Sequence, residues 1–218
     1  MQQFIAKKLN QVLAVVLTIV ALMTGQQAWA QNPATIGSIS YNSTLGAYEI
    51  ASADNLKDLA VYVNGSGNYT TGGDAETVSH DCVGLTFKVT GNIELTHTTE
   101  WNVANEDAFT SIGTSSAPFK GTFDGQGNTI SGMRIYKTSY PAYLNLGLFG
   151  CVGEGGTVKN INLSDVRISG GYRLGIVGYN ILGTVLGCHI SNAFIEGKEE
   201  LGGIVGENKG IVSDCLVN

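Results

Sequence analysis

A short glycine-bounded motif recurs at a fixed spacing in the second half of the chain. Gly147-Leu148-Phe149-Gly150 is followed 28 residues later by Gly175-Ile176-Val177-Gly178, and Gly203-Ile204-Val205-Gly206 follows after another 28. An earlier and weaker copy is Gly121-Thr122-Phe123-Asp124. Self-similarity at a fixed period of about 20–50 residues indicates stacked structural repeats, and it constrains the fold more than local propensity does.

The second half of each repeat aligns in four further columns, with spacings of 27 or 28 residues. The columns are Thr129, Thr157, Thr184 and Ile211; Ile130, Val158, Val185 and Val212; Met133, Ile161, Cys188 and Cys215; and Ile135, Leu163, Ile190 and Val217. Within each copy apolar and polar residues mostly alternate, which is the period of a β-strand.

These features predict an all-β fold, a parallel β-solenoid (right-handed β-helix) of 27–28-residue coils with an N-terminal capping helix. Successive coils would lie about 4.8 Å apart, so that equivalent residues stack into buried columns. Asn180 and Asn208 are predicted to form a turn column, because asparagine tolerates the left-handed backbone of tight corners. The regular coils are expected over residues 119–218.

At these residues the chain resembles the GLUG repeat family, named for its Gly-Leu-x-Gly-like core. The segment Phe119–Ile130 is similar to the F-x-G-T-F-D-G-x-G-x-x-I sequence that precedes such repeats, and the resemblance covers roughly residues 48–218. It implies a secreted or surface-exposed bacterial β-helix, often part of a larger protein, and no single activity. Some members of the family carry a metallopeptidase domain elsewhere in the chain.

Residues 1–30 have the pattern of a signal peptide. Lys7 and Lys8 precede an apolar run from Val12 to Met23, and Ala28-Trp29-Ala30 predicts cleavage between Ala30 and Gln31. The apolar run of about 12 residues is too short to span a bilayer as a helix. We therefore expect a secreted or cell-surface protein without a membrane span after cleavage; a retained anchor is the alternative.

Residues 31–118 are predicted to cap the repeats. They contain leading strands and a short helix over residues 53–64, in which Leu56, Leu59, Ala60 and Val63 form one apolar stripe. Ser52 is the expected N-cap, and Gly65 is expected to end the helix. The helix would cover the open end of the first coil; a partner-binding helix is the alternative. The last coil has no such cover before Asn218, so we expect self-association through its strand edges; a longer array of which these coils are the front part is the alternative.

Composition argues against two classes of partner. The chain has 12 basic and 18 acidic residues and a formal net charge of −6. It contains no basic cluster that would neutralise phosphates, so neither a nucleic acid nor an anionic membrane surface is an expected partner.

The four cysteines leave two interpretations open. Cys188 and Cys215 occupy one column in adjacent repeats, so an exported protein could oxidise them to a disulfide. Buried free thiols that pack as small hydrophobic groups are the alternative. Cys82 and Cys151 have no partner that the sequence identifies.

No cofactor or metal is predicted. His80-Asp81-Cys82 could supply metal ligands, but the C-x-x-C and H-E-x-x-H spacings are absent, and a solvated loop is the preferred interpretation. Residues 124–128 superficially resemble a calcium loop, but a tight turn explains their Asp, Gly and Asn residues without an ion.

Outward-facing aromatic residues are the candidate ligand contacts, with a glycan or a host or cell-surface protein as the partner. They are Tyr136, Tyr140, Tyr143, Tyr172, Tyr179 and Phe194. No catalytic residue is predicted, because the columns lack paired carboxylates on adjacent coils and no G-x-S-x-G turn is present. We expect an exported non-enzymatic module for surface adhesion or partner binding. The alternatives are a polysaccharide-active β-helix enzyme, the repeat module of a larger secreted peptidase, and a structural spacer.

Overall fold

The alternating apolar residues of the repeats form short strands, and most of the secondary structure is β. A computed structural model describes residues 35–65, 80–95, 109–137 and 144–218. In these ranges it has nineteen strands, numbered in chain order, and a single helix, α1. The expected signal peptide and the Ala30-Gln31 cleavage site lie outside the described residues.

The strands form four sheets within the described ranges. An eight-stranded sheet contains, in spatial order, β1 Thr35–Ile36, β2 Ile39–Asn42, β3 Ala47–Ile50, β4 Thr86–Val89, β6 Thr122–Asp124, β11 Thr157–Lys159, β15 Thr184–Leu186 and β18 Ile211–Ser213. A six-stranded sheet contains β5 Ile93–Glu94, β7 Thr129–Ser131, β8 Arg134–Tyr136, β12 Asn162–Ser169, β16 His189–Glu196 and β19 Leu216–Val217. A three-stranded sheet contains β10 Phe149–Val152, β14 Val177–Asn180 and β17 Val205–Asn208, and a pair contains β9 Asn145–Leu146 and β13 Arg173–Leu174.

The pairing from β3 onward is parallel, and it joins residues that are equivalent in successive repeats. Val158 pairs with Val185, which pairs with Val212 at intervals of 27 residues. Phe149 and Val177, in the three-stranded sheet, pair at an interval of 28. Val158 and Val185 are fully buried. The predicted columns are therefore confirmed from residue 157 onward, and burial of their apolar side chains is the main stabilising contribution.

The predicted alignment of the first repeat is wrong. Phe123, not Ile130, pairs with Val158, and Ile130 pairs with Leu163 instead. Phe123 and Val158 are 35 residues apart, because the first repeat contains extra residues. One insertion lies between Ile135 and Phe149, a stretch five residues longer than its counterpart in the next repeat. A constant period cannot be extended across such an insertion.

The Gly121–Asp124 segment is also not a copy of the glycine motif. Phe123 belongs to the eight-stranded sheet, whereas Phe149 of the motif belongs to the three-stranded sheet. The residue that forms a parallel bridge with Phe149 is Ile112. The earlier repeat therefore contributes Ser111-Ile112-Gly113 at this position, without the initial glycine that marks the later copies.

The glycines of the motif lie where the backbones of adjacent repeats touch. A Cβ atom on Gly178 would be 2.7 Å from the backbone nitrogen of Leu146, and one on Gly206 would be 2.7 Å from the carbonyl oxygen of Gly178. Real Cβ atoms do not approach backbone atoms so closely, so any larger residue would push the repeats apart. The glycines of the motif therefore mark the positions where the backbones of adjacent repeats are in close contact.

The predicted asparagine column is confirmed. Asn180 is fully buried, pairs with Asn208, and donates from Nδ2 to the Asn208 Oδ1 at 2.7 Å. Its Oδ1 accepts from the Gly183 backbone N–H at 2.9 Å. The expected left-handed backbone is wrong for this column, since neither asparagine has positive φ. The left-handed corner lies instead in another column, formed by Asn160, Gly187 and Asp214 with φ of 53°, 60° and 54°.

Helix α1 spans Ala53–Val63 and follows the sequence signals closely. Ser52 is its N-cap, with Oγ accepting from the Asn55 N–H at 3.2 Å, and Gly65 follows the C-cap Asn64 with φ of 71°. The apolar stripe of the helix is buried in the core. The helix packs on β1 and β2, which pair antiparallel at the edge of the eight-stranded sheet. No helix in the described ranges has the length and apolar character that a membrane crossing requires.

Replacing Val185 with Asp tests the stacked columns. The carboxylate would be buried between Val158 and Val212 without a partner, so we expect a loss of at least about 3 kcal/mol in the free energy of unfolding. Leu182, which is 57% exposed, provides the control: Leu182→Asp should leave stability nearly unchanged. Thermal unfolding followed by circular dichroism measures both, and equal melting of Val185→Asp and the wild type would contradict the observed packing.

Replacing Asn180 with Ala tests the asparagine column. The change leaves the buried Gly183 N–H without its acceptor, and we expect a cost of about 1–3 kcal/mol. Asn208 is exposed and makes fewer hydrogen bonds than Asn180, so Asn208→Ala should lower the free energy of unfolding by less than about 1 kcal/mol. Chemical denaturation compares the two variants, and the opposite ranking would show that the column does not stabilise the turn.

Candidate functional site

A group of charged and aromatic side chains lies on the three-stranded sheet. Tyr179 pairs in register with Cys151 on one side and with Glu207 on the other. Arg173, Glu200 and Lys209 surround Tyr179 and Glu207. These five residues, Arg173, Tyr179, Glu200, Glu207 and Lys209, are called the Tyr179 cluster below.

The contacts within the Tyr179 cluster are mutual. Arg173 Nε is 2.6 Å from Glu200 Oε2, and it also forms an ion pair with Glu207. Lys209 Nζ is 3.1 Å from Glu207 Oε1 and donates to the Tyr179 hydroxyl at 2.7 Å. The Arg173 guanidinium carbon lies 4.8 Å and the Lys209 Nζ 5.0 Å from the centroid of the Tyr179 ring, within cation–π range. Two cations and two carboxylates therefore neutralise each other around one aromatic ring.

The electrostatics of the Tyr179 cluster favour the charged forms of Glu207 and Lys209. Partial burial acts to raise the pKa of Glu207, but the hydrogen bond from Lys209 and the charge of Arg173 outweigh it and lower that pKa below 4.5. The hydrogen bonds to Tyr179 and Glu207 raise the pKa of Lys209 above its ordinary value. A general acid needs a carboxyl pKa raised toward neutrality, and a lysine base needs a lowered one. The pKa shifts of Glu207 and Lys209 are both opposite to those that a general acid and a lysine base require.

A cavity opens beside the Tyr179 cluster. Its volume is about 200 Å³, which is smaller than the usual range of drug-sized ligand sites. Its apolar lining comes from Phe109, Ile135, Leu144 and Leu146, of which Phe109 is 6% and Leu146 5% exposed. We call it the Phe109 cavity.

Hydrogen bonds hold the polar lining of the Phe109 cavity in place. Asn64, the C-cap of α1, donates to the Ser111 carbonyl at 3.0 Å and accepts from the Gly113 N–H at 2.9 Å. Asn145 donates from Nδ2 to the Ser115 Oγ at 2.9 Å, and its Oδ1 accepts from Arg173 Nη1 at 3.4 Å. Asn145 therefore connects the cavity to the Tyr179 cluster.

The predicted aromatic residues do not form one platform. Tyr136 lies in β8 and Phe194 in β16, both on the six-stranded sheet, whereas Tyr179 is on the three-stranded sheet. Phe194 is 46% exposed. Tyr172 precedes β13, and its N–H donates to the Leu144 carbonyl at 3.1 Å. Tyr140 and Tyr143 lie outside the described residues.

The cysteines are free thiols. The Cys188 N–H donates to the Cys215 Sγ at 3.4 Å, and no disulfide joins the two residues. Burial raises the pKa of the Cys188 thiol to about 12, so it stays protonated. Cys151 is fully buried next to the Asn145 Nδ2, which is 2.9 Å from its Sγ.

The predicted solvated loop at His80-Asp81-Cys82 is wrong. His80 Nδ1 is 2.9 Å from the Tyr62 carbonyl, and the imidazole stacks on the Tyr62 ring at 4.8 Å. Cys82 is fully buried, and Asp81 forms an ion pair with Lys120 at 3.0 Å. Packing against α1 therefore holds this segment in place. Because the segment has no apolar periodicity, this packing could not be predicted from the sequence.

Asp124 has protein partners for both carboxylate oxygens. Oδ1 accepts from the Gln126 N–H and from Asn160 Nδ2, each at 3.0 Å, and Oδ2 is 3.3 Å from Lys159 Nζ. Burial acts to raise the pKa of Asp124, but these contacts outweigh it and lower the pKa. Across the described ranges, no three His, Cys, Asp or Glu side chains are grouped to hold a metal ion.

Neither the Tyr179 cluster nor the Phe109 cavity was predicted from the sequence. Glu200 lies outside the aligned columns, and Lys209 reaches Tyr179 from 30 residues away. Phe109 and Leu144 belong to segments without a repeat pattern. The available signal was the set of charged residues flanking the glycine motifs, Arg173, Glu200, Glu207 and Lys209.

Comparison with known proteins gives one partial similarity. The chain is 27% identical over 135 residues to a protein named Halomucin from Haloquadratum walsbyi (strain DSM 16790 / HBSQ001). The match covers 62% of this chain and 1% of the length of Halomucin. No protein-family model matches the chain, and no solved structure matches it.

The ion pairs of Glu207 predict a pH dependence. Because the folded pKa of Glu207 lies below its ordinary value, its stabilisation is complete above pH 4.5 and is lost as the pH falls through the folded pKa. At pH 7 we expect Glu207→Gln to lower Tm by about 1–4 °C. The difference in Tm between Glu207→Gln and the wild type should become smaller below pH 4.5.

The exposed turn residue Glu154, which has no ion pair among the described residues, provides the matched control. Glu154→Gln should leave Tm unchanged at every pH. Scanning calorimetry between pH 3 and pH 8 compares the three proteins, and a Glu207→Gln deficit that persists undiminished to the lowest pH would contradict the assigned ion pairs.

Proposed function

We propose that this chain is an exported, non-enzymatic β-helix module that binds a glycan or protein ligand at a surface through its outer face. The observation that carries the proposal is the parallel register of equivalent residues at 27–28-residue intervals. Such stacking separates an apolar interior from an outer face whose side chains vary without changing the core. The outer face here includes the Tyr179 cluster and the mouth of the Phe109 cavity.

We infer that the repeats wind as a right-handed parallel β-helix. The order of the strands supports the inference, because β10, β11 and β12 belong to three different sheets and β14, β15 and β16 follow through the same sheets in the same order. Each passage through the three sheets would be one coil. The right-handed sense follows from the strong preference of parallel crossover connections for that hand.

We also propose that the repeats are of the GLUG type. The support is the role of the motif glycines, which lie at the contacts between the backbones of successive repeats. A motif that marks such contacts is a property of the architecture and does not prescribe an activity.

The charge pattern of the Tyr179 cluster supports a binding role over catalysis. Glycoside hydrolysis uses two carboxyl groups in different protonation states, one of them with a raised pKa. Glu200 and Glu207 both pair with Arg173, and the pKa of Glu207 is lowered. Fixed charges around an aromatic ring instead suit recognition of a polar ligand.

The pattern of residues 1–30 supports export, with cleavage after Ala30. The intact mass of the natively exported protein tests this part of the proposal. A mass that requires residues 1–30 to be present would contradict cleavage.

Binding without turnover is the expected result of a direct test. The folded chain should bind at least one member of a panel of immobilised neutral and acidic polysaccharides and extracellular proteins, with saturable kinetics in biolayer interferometry. Prolonged incubation should release no new reducing ends and no cleaved peptide. The control is a sample of the chain that has been denatured, returned to buffer, and shown by circular dichroism to lack its β-sheet signal.

Two outcomes would overturn the proposal. Release of products from a bound polymer would show that the chain is an enzyme, and Glu200→Gln and Glu207→Gln would then identify whether the Tyr179 cluster is responsible. Failure of the folded chain to bind any member of the panel would remove the support for a binding role and favour a structural spacer.

A further inference from the structure

We propose that the Phe109 cavity is a binding site for a carboxylated sugar, a single uronic acid residue of an acidic polysaccharide. This inference rests on the proposed ligand-binding function and names the ligand class and the place where it binds.

The cavity combines an apolar base with a polar mouth. Phe109 and Leu146 are almost fully buried, whereas Thr110, Thr114 and Ser115 are exposed. A sugar ring has C–H faces that pack on apolar surface and hydroxyls around its edge that need hydrogen-bond partners. A volume of about 200 Å³ with an open mouth limits the site to one such ring with its substituents.

Some polar groups of the cavity are engaged, and others are available to a ligand. Asn64 and Asn145 are fixed by protein hydrogen bonds and keep the walls rigid. The Thr110 hydroxyl and the Lys137 ammonium form no hydrogen bond or ion pair with any residue of the described ranges, although both line the cavity. Preorganised walls with unengaged donors reduce the ordering cost of binding.

The Ser115 hydroxyl is a third donor. Its oxygen accepts from Asn145 Nδ2 at 2.9 Å, and Asn145 is itself oriented by Arg173. The Cys151 Sγ is 3.7 Å away, a weak competing contact. A hydroxyl that already accepts a hydrogen bond can direct its own proton toward a ligand oxygen.

Charge selects the class of sugar. Lys137 is the one charged residue among the described residues that line the cavity, and no carboxylate lines it there. A hydrogen bond between an ammonium and a carboxylate is stronger than one between neutral groups. The site therefore favours an acidic sugar over a neutral one, even though the whole chain has a net charge of −6.

Ligand-observed NMR and calorimetric titration of the folded chain test the site with D-glucuronate, D-glucose and acetate. We expect glucuronate to bind at least about tenfold more tightly than glucose, and acetate to bind more weakly than glucuronate. Lys137→Gln should reduce glucuronate affinity to that of glucose and leave glucose unchanged. Lys57→Gln, at an exposed helix position outside the cavity lining, is the matched control and should change neither affinity.

Thr110→Trp is the second variant, because a large side chain at this exposed position fills the mouth. It should abolish binding of both sugars while the thermal melt stays as in the wild type. Glucuronate binding that survives both Thr110→Trp and Lys137→Gln would overturn the assignment, as would acetate binding as tightly as glucuronate. If the chain instead binds a polysaccharide in the panel and Thr110→Trp leaves that binding unchanged, the cavity assignment fails and the proposed function stands.

Discussion

Parallel pairing of equivalent residues is the constraint on which the rest of the structure depends. Val158, Val185 and Val212 can stack only if each repeat returns to the same register, because a slip of one residue would turn every apolar side chain of a strand outward. The buried Asn180 amide adds a polar requirement of the same kind, since its partner lies in the next repeat. The close backbone contact at Gly178 adds a steric one. These three requirements agree on one register, which gives it a clear energetic advantage.

The regular part of the fold could be predicted from the amino-acid sequence, and the part where the period breaks could not. The columns from residue 157 onward and the limits of α1 follow from apolar alternation and capping signals, which are local and repeated. The first repeat could not be aligned, because Phe123 and Ile112 reach their partners across insertions. An insertion interrupts the periodic pattern, so the pattern does not predict which residues pair across it. Packing decides the register there.

The candidate sites were hidden for a related reason. Tyr179 was recognised as an outward aromatic residue, but the cations that lie over its ring come from different parts of the repeats. The Phe109 cavity joins the C-cap of α1 to residues around Ser111 and Asn145, which are distant in sequence. The regular repeats thus provide a rigid support, and the sites lie where less regular segments meet them.

The parallel register also determines which changes of length the chain can tolerate. Each later repeat contributes one strand to each of the three larger sheets, so a gain or loss of one whole 27-residue unit would alter the number of layers and preserve every pairing rule. A gain or loss within a strand would misplace all the layers that follow. A gene encoding such a chain is therefore expected to vary in length by complete repeats, or by insertions confined to turns. The outer surface can in this way be extended in steps of about 4.8 Å while the interior stays the same.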